Sequence, residues 1–176
     1  MQRTQTRRLV IAAASGIMAL GMVLPASAAT PATMDVTAGS LSISVPTNTV
    51  NLGTTVNSVD GSVITGALGE VRVEDARGAG AGSSWVATAI SSAFTPPAGT
   101  AIAASHVGYT AGAITQVGTA TYTANNPTNL TGAVAVVTAS GITGLNSATW
   151  NPNIDIRVPG GAVVGQYVAT ITHSVA

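Results

Sequence analysis

The chain contains no cysteine and no lysine, and its 176 residues include one phenylalanine, two tryptophans and three tyrosines. Without cysteine there is no disulfide to staple the fold, no thiol nucleophile and no sulfur to carry a lipid, so stability rests on packing alone. Without lysine a Ser-x-x-Lys nucleophile is impossible, and no serine lies in Gly-x-Ser-x-Gly. Charge is scarce: Asp, Glu, Lys and Arg together make up 7% of the residues. Three of the six arginines, Arg3, Arg7 and Arg8, crowd the N-terminus. The rest of the chain sets Arg72, Arg77 and Arg157 against Asp35, Asp60, Glu70, Glu74, Asp75 and Asp155, three positive against six negative groups, for a net charge of −3. A phosphate backbone needs clustered cations, so three scattered arginines exclude nucleic acid as a partner. The only histidines are His106 and His173, with no His-x-His, His-x-x-x-His or Asp-rich loop, so neither a metal site nor a cofactor is expected.

What is present begins with export. Arg3, Arg7 and Arg8 precede an apolar stretch over residues 9–24 and then Pro25-Ala26-Ser27-Ala28-Ala29, the pattern of a secretory signal peptide cut after Ala28. The stretch contains Ser15, Gly16 and Gly21 and meets Pro25 short of the roughly 20 residues a span requires, so no transmembrane segment is expected after cleavage. Residues 1–28 therefore read as a signal helix, 29–38 as a flexible leader and 39–176 as one domain. The chain stops at Val175-Ala176 without an apolar tail, so residence on a cell surface is expected to be non-covalent.

Within 39–176 the apolar period is two. Leu41, Ile43 and Val45 alternate with serines, Val71 and Val73 with Arg72 and Glu74, and the pattern recurs over 119–123, 134–138, 154–158 and 167–175. In the last run Tyr167, Ala169, Ile171, His173 and Val175 share one face. Turn signals separate the runs: Asp60-Gly61, Arg77-Gly78-Ala79-Gly80, Pro96-Pro97-Ala98-Gly99, Asn125-Asn126-Pro127, Asn151-Pro152 and Pro159-Gly160-Gly161. The expected fold is all-β: a sandwich of about eight to ten short, mostly antiparallel strands.

No residue set converges on catalysis. Glu70 and Glu74 stand four apart on one strand face with Arg72 between them, which fits a solvated face better than an acid–base pair. Asp75-Ala76-Arg77-Gly78 reads as a turn whose carboxylate bonds nearby backbone and the guanidinium, making Asp75 and Arg77 structural. Tyr167 and His173 are placed in a structural role on the inner face of the last strand. Trp85, Trp150 and Tyr109 are candidate flat platforms for a ligand such as a sugar ring, and the two tryptophans carry a second reading as plugs for a core otherwise made of aliphatic side chains. The scarcity of phenylalanine favours plugs for the two tryptophans.

Three segments carry a resemblance. Residues 68–78 lead into Ser84-Trp85-Val86-Ala87-Thr88, with Phe94-Thr95 beyond; Thr149-Trp150-Asn151-Pro152 follows much later; and residues 158–176 close the chain. Together they resemble the WxL-type cell-wall-binding surface proteins, in particular secreted relatives from high-GC Gram-positive bacteria, over the stretch from about Leu41 to the end. In the family a leucine follows each eponymous tryptophan by two residues, where this chain has Ala87 and Pro152. The resemblance implies a secreted, non-enzymatic β-domain held non-covalently to the cell wall, with peptidoglycan or a cell-surface protein as partner. A self-associating subunit of a surface layer or fibre, built through strand edges that no lysine guards, and a carbohydrate-binding module are the competing expectations.

Overall fold

In the computed structural model, which describes residues 32–176, every regular element apart from one 3-10 turn at Ala104–His106 is a β-strand. The strands are β1 (Leu41–Ser44), β2 (Ser62–Ala67), β3 (Val71–Ser91), β4 (Val107–Thr110), β5 (Ile114–Ala124), β6 (Val134–Trp150), β7 (Asn153–Val158) and β8 (Ile171–Val175). The signal peptide and residues 29–31 lie outside the described residues. Residues 32–38 of the leader are exposed and without regular structure.

Alternation explains which face each strand buries. Val71, Val73 and Asp75 point inward on β3 while Arg72 and Glu74 point to solvent, where they pair at 3.5 Å. On β7, Ile154 and Ile156 turn inward and Asn153 and Arg157 outward. The strands form two antiparallel sheets packed as a sandwich. In the larger, β1-β3-β6-β5 run side by side and β8 joins the same edge of β3 as β1, further along it; the smaller is β2-β7-β4. Between them lies a core of Val71, Val73, Val107, Leu130, Val136, Ile142, Ile154 and the three rings Trp85, Tyr109 and Trp150. Each fully buried aliphatic side chain there is worth about 1.5–3 kcal/mol against exposure.

The strands are not uniformly short. β3 has 21 residues and β6 has 17, and they run together from Val71↔Trp150 to Ala89↔Val134. The Arg77–Gly80 turn expected from sequence is absent, because the glycines bend the strand without ending it. Register shifts fall between Asp75 and Trp85 on β3 and between Val117 and Thr121 on β5. Gly78, Gly82, Gly118, Gly141 and Gly144, all at positive φ, lie in this band. Bulges of this kind need the left-handed conformation that glycine adopts without a Cβ penalty. The band divides the larger sheet into a proximal half (71–75 of β3) and a distal half (85–91), and this division places the candidate site.

Two strands, β2 and β4, were not anticipated. β2 alternates Val63, Thr65 and Ala67 outward with Ile64 and Gly66 inward, a reversed pattern in which the exposed positions are as apolar as the buried ones. β4 is covered on both faces, with Val107, Gly108 and Tyr109 all buried, so it has no alternation to read. The expected strand over 167–175 is shorter: Val168 makes only an isolated bridge to Thr95, and continuous pairing begins at Ile171.

Candidate functional site

The aromatic residues decide where a site is not. Trp85 is 1% exposed, Trp150 2% and Tyr109 1%, so none presents a ring to a ligand. This corrects the platform reading of all three: in a core with so few large side chains, the indoles and the phenol fill volume that the aliphatics leave open. Each indole N–H is given a partner inside. Trp150 Nε1 donates to the Tyr109 hydroxyl at 2.8 Å, and Trp85 Nε1 donates to Asn146 Oδ1 at 3.0 Å.

Two polar networks grow from these bonds. In the first, Asp75 Oδ1 accepts from Arg77 Nε and the Arg77 backbone N–H, and Oδ2 accepts from the guanidinium and from Asn146 Nδ2. Asn146 Oδ1 in turn accepts from Trp85 and from the Tyr122 hydroxyl at 3.2 Å, and the Trp85 and Tyr122 rings stand 5.7 Å apart. The Arg77 hydrogen bonds, opposed by burial, bring the Asp75 carboxyl down to about 2. Its bond to Asp75 raises Arg77 in turn, while burial raises the Tyr122 hydroxyl. Buried Asp75 and partly exposed Arg77 thus form a structural pair within a continuing strand and not in a turn.

The second network crosses the sandwich. The Tyr109 hydroxyl on β4, holding the Trp150 N–H, meets His173 Nε2 on β8 at 3.2 Å, with the two rings edge to face. With Tyr109 oxygen accepting from the indole, its own hydrogen goes to Nε2, which leaves the proton of the neutral imidazole on Nδ1. Nδ1 is buried and has no partner among the described residues. Burial lowers His173 to about 4 and pushes the Tyr109 hydroxyl well above the usual phenol range. Tyr167, half-buried, donates its hydroxyl to the Val163 carbonyl at 2.9 Å and pins the loop ahead of β8.

What remains for recognition is surface, and its chemistry differs between the halves of the larger sheet. The outer face of the proximal half carries Arg72 and Glu74 opposite Ser44 and Ser42 of β1. The distal half carries no charge. There Thr121 lies opposite Ser140, Thr123 opposite Thr138 and Thr138 opposite Val86, while Thr88 lies opposite Ser174 with their hydroxyls 2.8 Å apart. Thr121, Thr123, Ser140, Thr172 and Ser174 are exposed and Thr138 and Thr88 partly so. The residues between them point inward: Tyr122, Ala139 and Trp85 in one row, Ala87, Val137 and Val175 in the next. The packing of the Trp85 row thus fixes this hydroxyl field as a four-stranded surface, interrupted by Val86, Ile90 and by Ala135 opposite Thr88.

Sequence reasoning placed Thr and Ser on strand faces but did not pick out this field, because it is assembled from four strands whose paired residues lie as much as 86 positions apart in the chain. Elsewhere a surface depression lined by Thr100, Ala101 and residues 159–163 contains no ionisable side chain. No three side chains among the described residues group to hold a metal ion, and no helix there is long and apolar enough to cross a membrane. No family model, curated protein or solved structure matches the chain.

Proposed function

We propose that this protein is an exported, non-catalytic surface protein that binds the bacterial cell wall non-covalently, through the hydroxyl field on the distal half of its larger sheet. The single observation that carries the reading is that field: Thr121, Thr123, Thr138, Ser140, Thr172 and Ser174 on one sheet face without a charged side chain. A peptidoglycan strand presents sugar hydroxyls and amides, which such a face meets by many modest hydrogen bonds and bridging waters. The signal-like N-terminus and the resemblance to wall-binding proteins support the same location. The interior titratable groups support a non-catalytic role, because Asp75 is committed to Arg77 and Asn146, and Tyr109 to His173 and the Trp150 indole.

The test is co-sedimentation of the naturally processed protein with insoluble peptidoglycan. Wild-type protein is expected in the pellet. A variant carrying Thr138→Val, Ser140→Ala and Thr172→Val, which keeps shape and removes hydroxyls, should bind at least tenfold more weakly with an unchanged circular dichroism spectrum. Full recovery of wild-type protein in the supernatant would overturn the reading.

A further inference from the structure

β5 closes one side of the larger sheet with an edge that nothing covers. It pairs only with β6, and among the described residues no backbone group of Ile114–Ala124 bonds to any other segment. The edge of β4 is treated differently. A loop lies along it, with the Tyr109 N–H donating to the Pro127 carbonyl and the Ala111 N–H to Asn126 Oδ1. An open edge of 11 residues is a template for another strand, and soluble proteins blunt such edges with lysine, proline or an inward charge. β5, ITQVGTATYTA, contains none of these. Its ladder to β6 shifts register twice between Val117 and Thr121, around Gly118, and beyond that Thr121, Tyr122, Thr123 and Ala124 run in unbroken register with β6.

We propose that residues 120–124 of β5 pair antiparallel with the same residues of a second copy of this chain, about a twofold axis at Tyr122. The segment Ala120-Thr121-Tyr122-Thr123-Ala124 reads the same in both directions, so this one register sets alanine against alanine and threonine against threonine. Thr121 and Thr123 are exposed on the outer face, and cross-strand threonine pairs are favourable. Although the domain is acidic overall, no charge on either β5 opposes the approach, so like meets like without repulsion. An isologous contact of this kind closes as a dimer and leaves no further edge of the same type. Five residue pairs bury less than the roughly 1,200 Å² of a standard interface, so the dimer is weak in free solution. It joins two larger sheets edge to edge and doubles the hydroxyl field, which raises avidity for a repetitive surface. The pairing itself does not rest on the wall-binding reading, and its test contains no wall material.

The experiment is sedimentation velocity of the naturally processed protein across a wide concentration range. Wild-type protein should pass reversibly from monomer to dimer. The double variant Thr121→Lys with Thr123→Lys sets lysine against lysine twice across the axis and should dimerise at least tenfold more weakly; Thr121→Asp with Thr123→Asp should do the same. An equimolar mixture of the two sets opposite charges together and should restore the dimer. Circular dichroism confirms that each variant folds, as expected for exposed positions. A wild-type protein that stays monomeric throughout, double variants that dimerise like wild type, or a mixture that fails to recover would each overturn the proposal.

Discussion

Asn146 is a small residue on which two rings and a buried carboxylate depend. Its side chain accepts from Trp85 and Tyr122 and donates to Asp75, at 4% exposure. Asn146→Leu keeps a similar volume but leaves the buried Trp85 N–H without its acceptor and the Asp75 carboxylate without one donor, while the Tyr122 hydroxyl keeps the Ser147 carbonyl. The cost of the stranded indole and the weakened carboxylate sets the expectation at about 2–4 kcal/mol, read as a lower urea midpoint with unchanged m-value. Trp85→Phe removes one donor and part of the ring and should cost about 1–3 kcal/mol. Nothing in the sequence marks Asn146, since asparagine between Leu145 and Ser147 looks like a turn former. Only its pairing opposite Asp75 reveals the role. Asp75 with Arg77 was legible, because a carboxylate two residues before a guanidinium bonds locally whatever the surrounding fold.

At the scale of elements, the glycines separate those that shape the bent sheet from those that merely occupy it. Gly118 on β5 has φ 86, and a Cβ there would strike the Leu145 carbonyl of β6. Gly80 on β3 has open space around its would-be Cβ and no positive φ. Gly118→Val should therefore destabilise by about 2–4 kcal/mol through strain and collision, whereas Gly80→Ala should stay within about 0.5 kcal/mol of wild type. Thermal midpoints of the two variants check the contrast. The run Arg77-Gly78-Ala79-Gly80 signals a break in any local reading. The long-range ladder to β6 overrides it, because bulges absorb the extra residues that a straight strand would expel.

For the molecule as a whole, the link between the sheets is sensitive to acid. His173 on β8 and Tyr109 on β4 join the two layers, and the folded state holds His173 at about 4 against an ordinary 6.5. Between those values the unfolded chain binds a proton that the folded protein does not, so stability rises with pH. His173 therefore contributes fully above about pH 6.5, and that contribution, on the order of 3 kcal/mol, is lost as the pH falls toward 4. Asp75, lowered from 3.8 to about 2, adds stability that is complete above its unfolded value and is lost as the pH falls through 2. Screening through the partly exposed Arg77 limits that part to about 1–2 kcal/mol. Thermal midpoints recorded from pH 7 to 2 should fall in two stages. His173→Gln should flatten the first stage and leave the second.

Period-two alternation and the lack of any long helical pattern determined the all-β class, the inward faces of β1, β3, β7 and β8, and the inward placement of His173, because a side chain's face on a strand follows from its position in the strand. The tertiary structure alone decided that β3 and β6 run on through their glycines, that Tyr109 joins the buried rings, and that threonines from β3, β5, β6 and β8 meet on one uncharged surface. Those outcomes depend on which strands are neighbours and in what register, and hydrogen bonds between segments far apart in the chain leave no mark on local sequence.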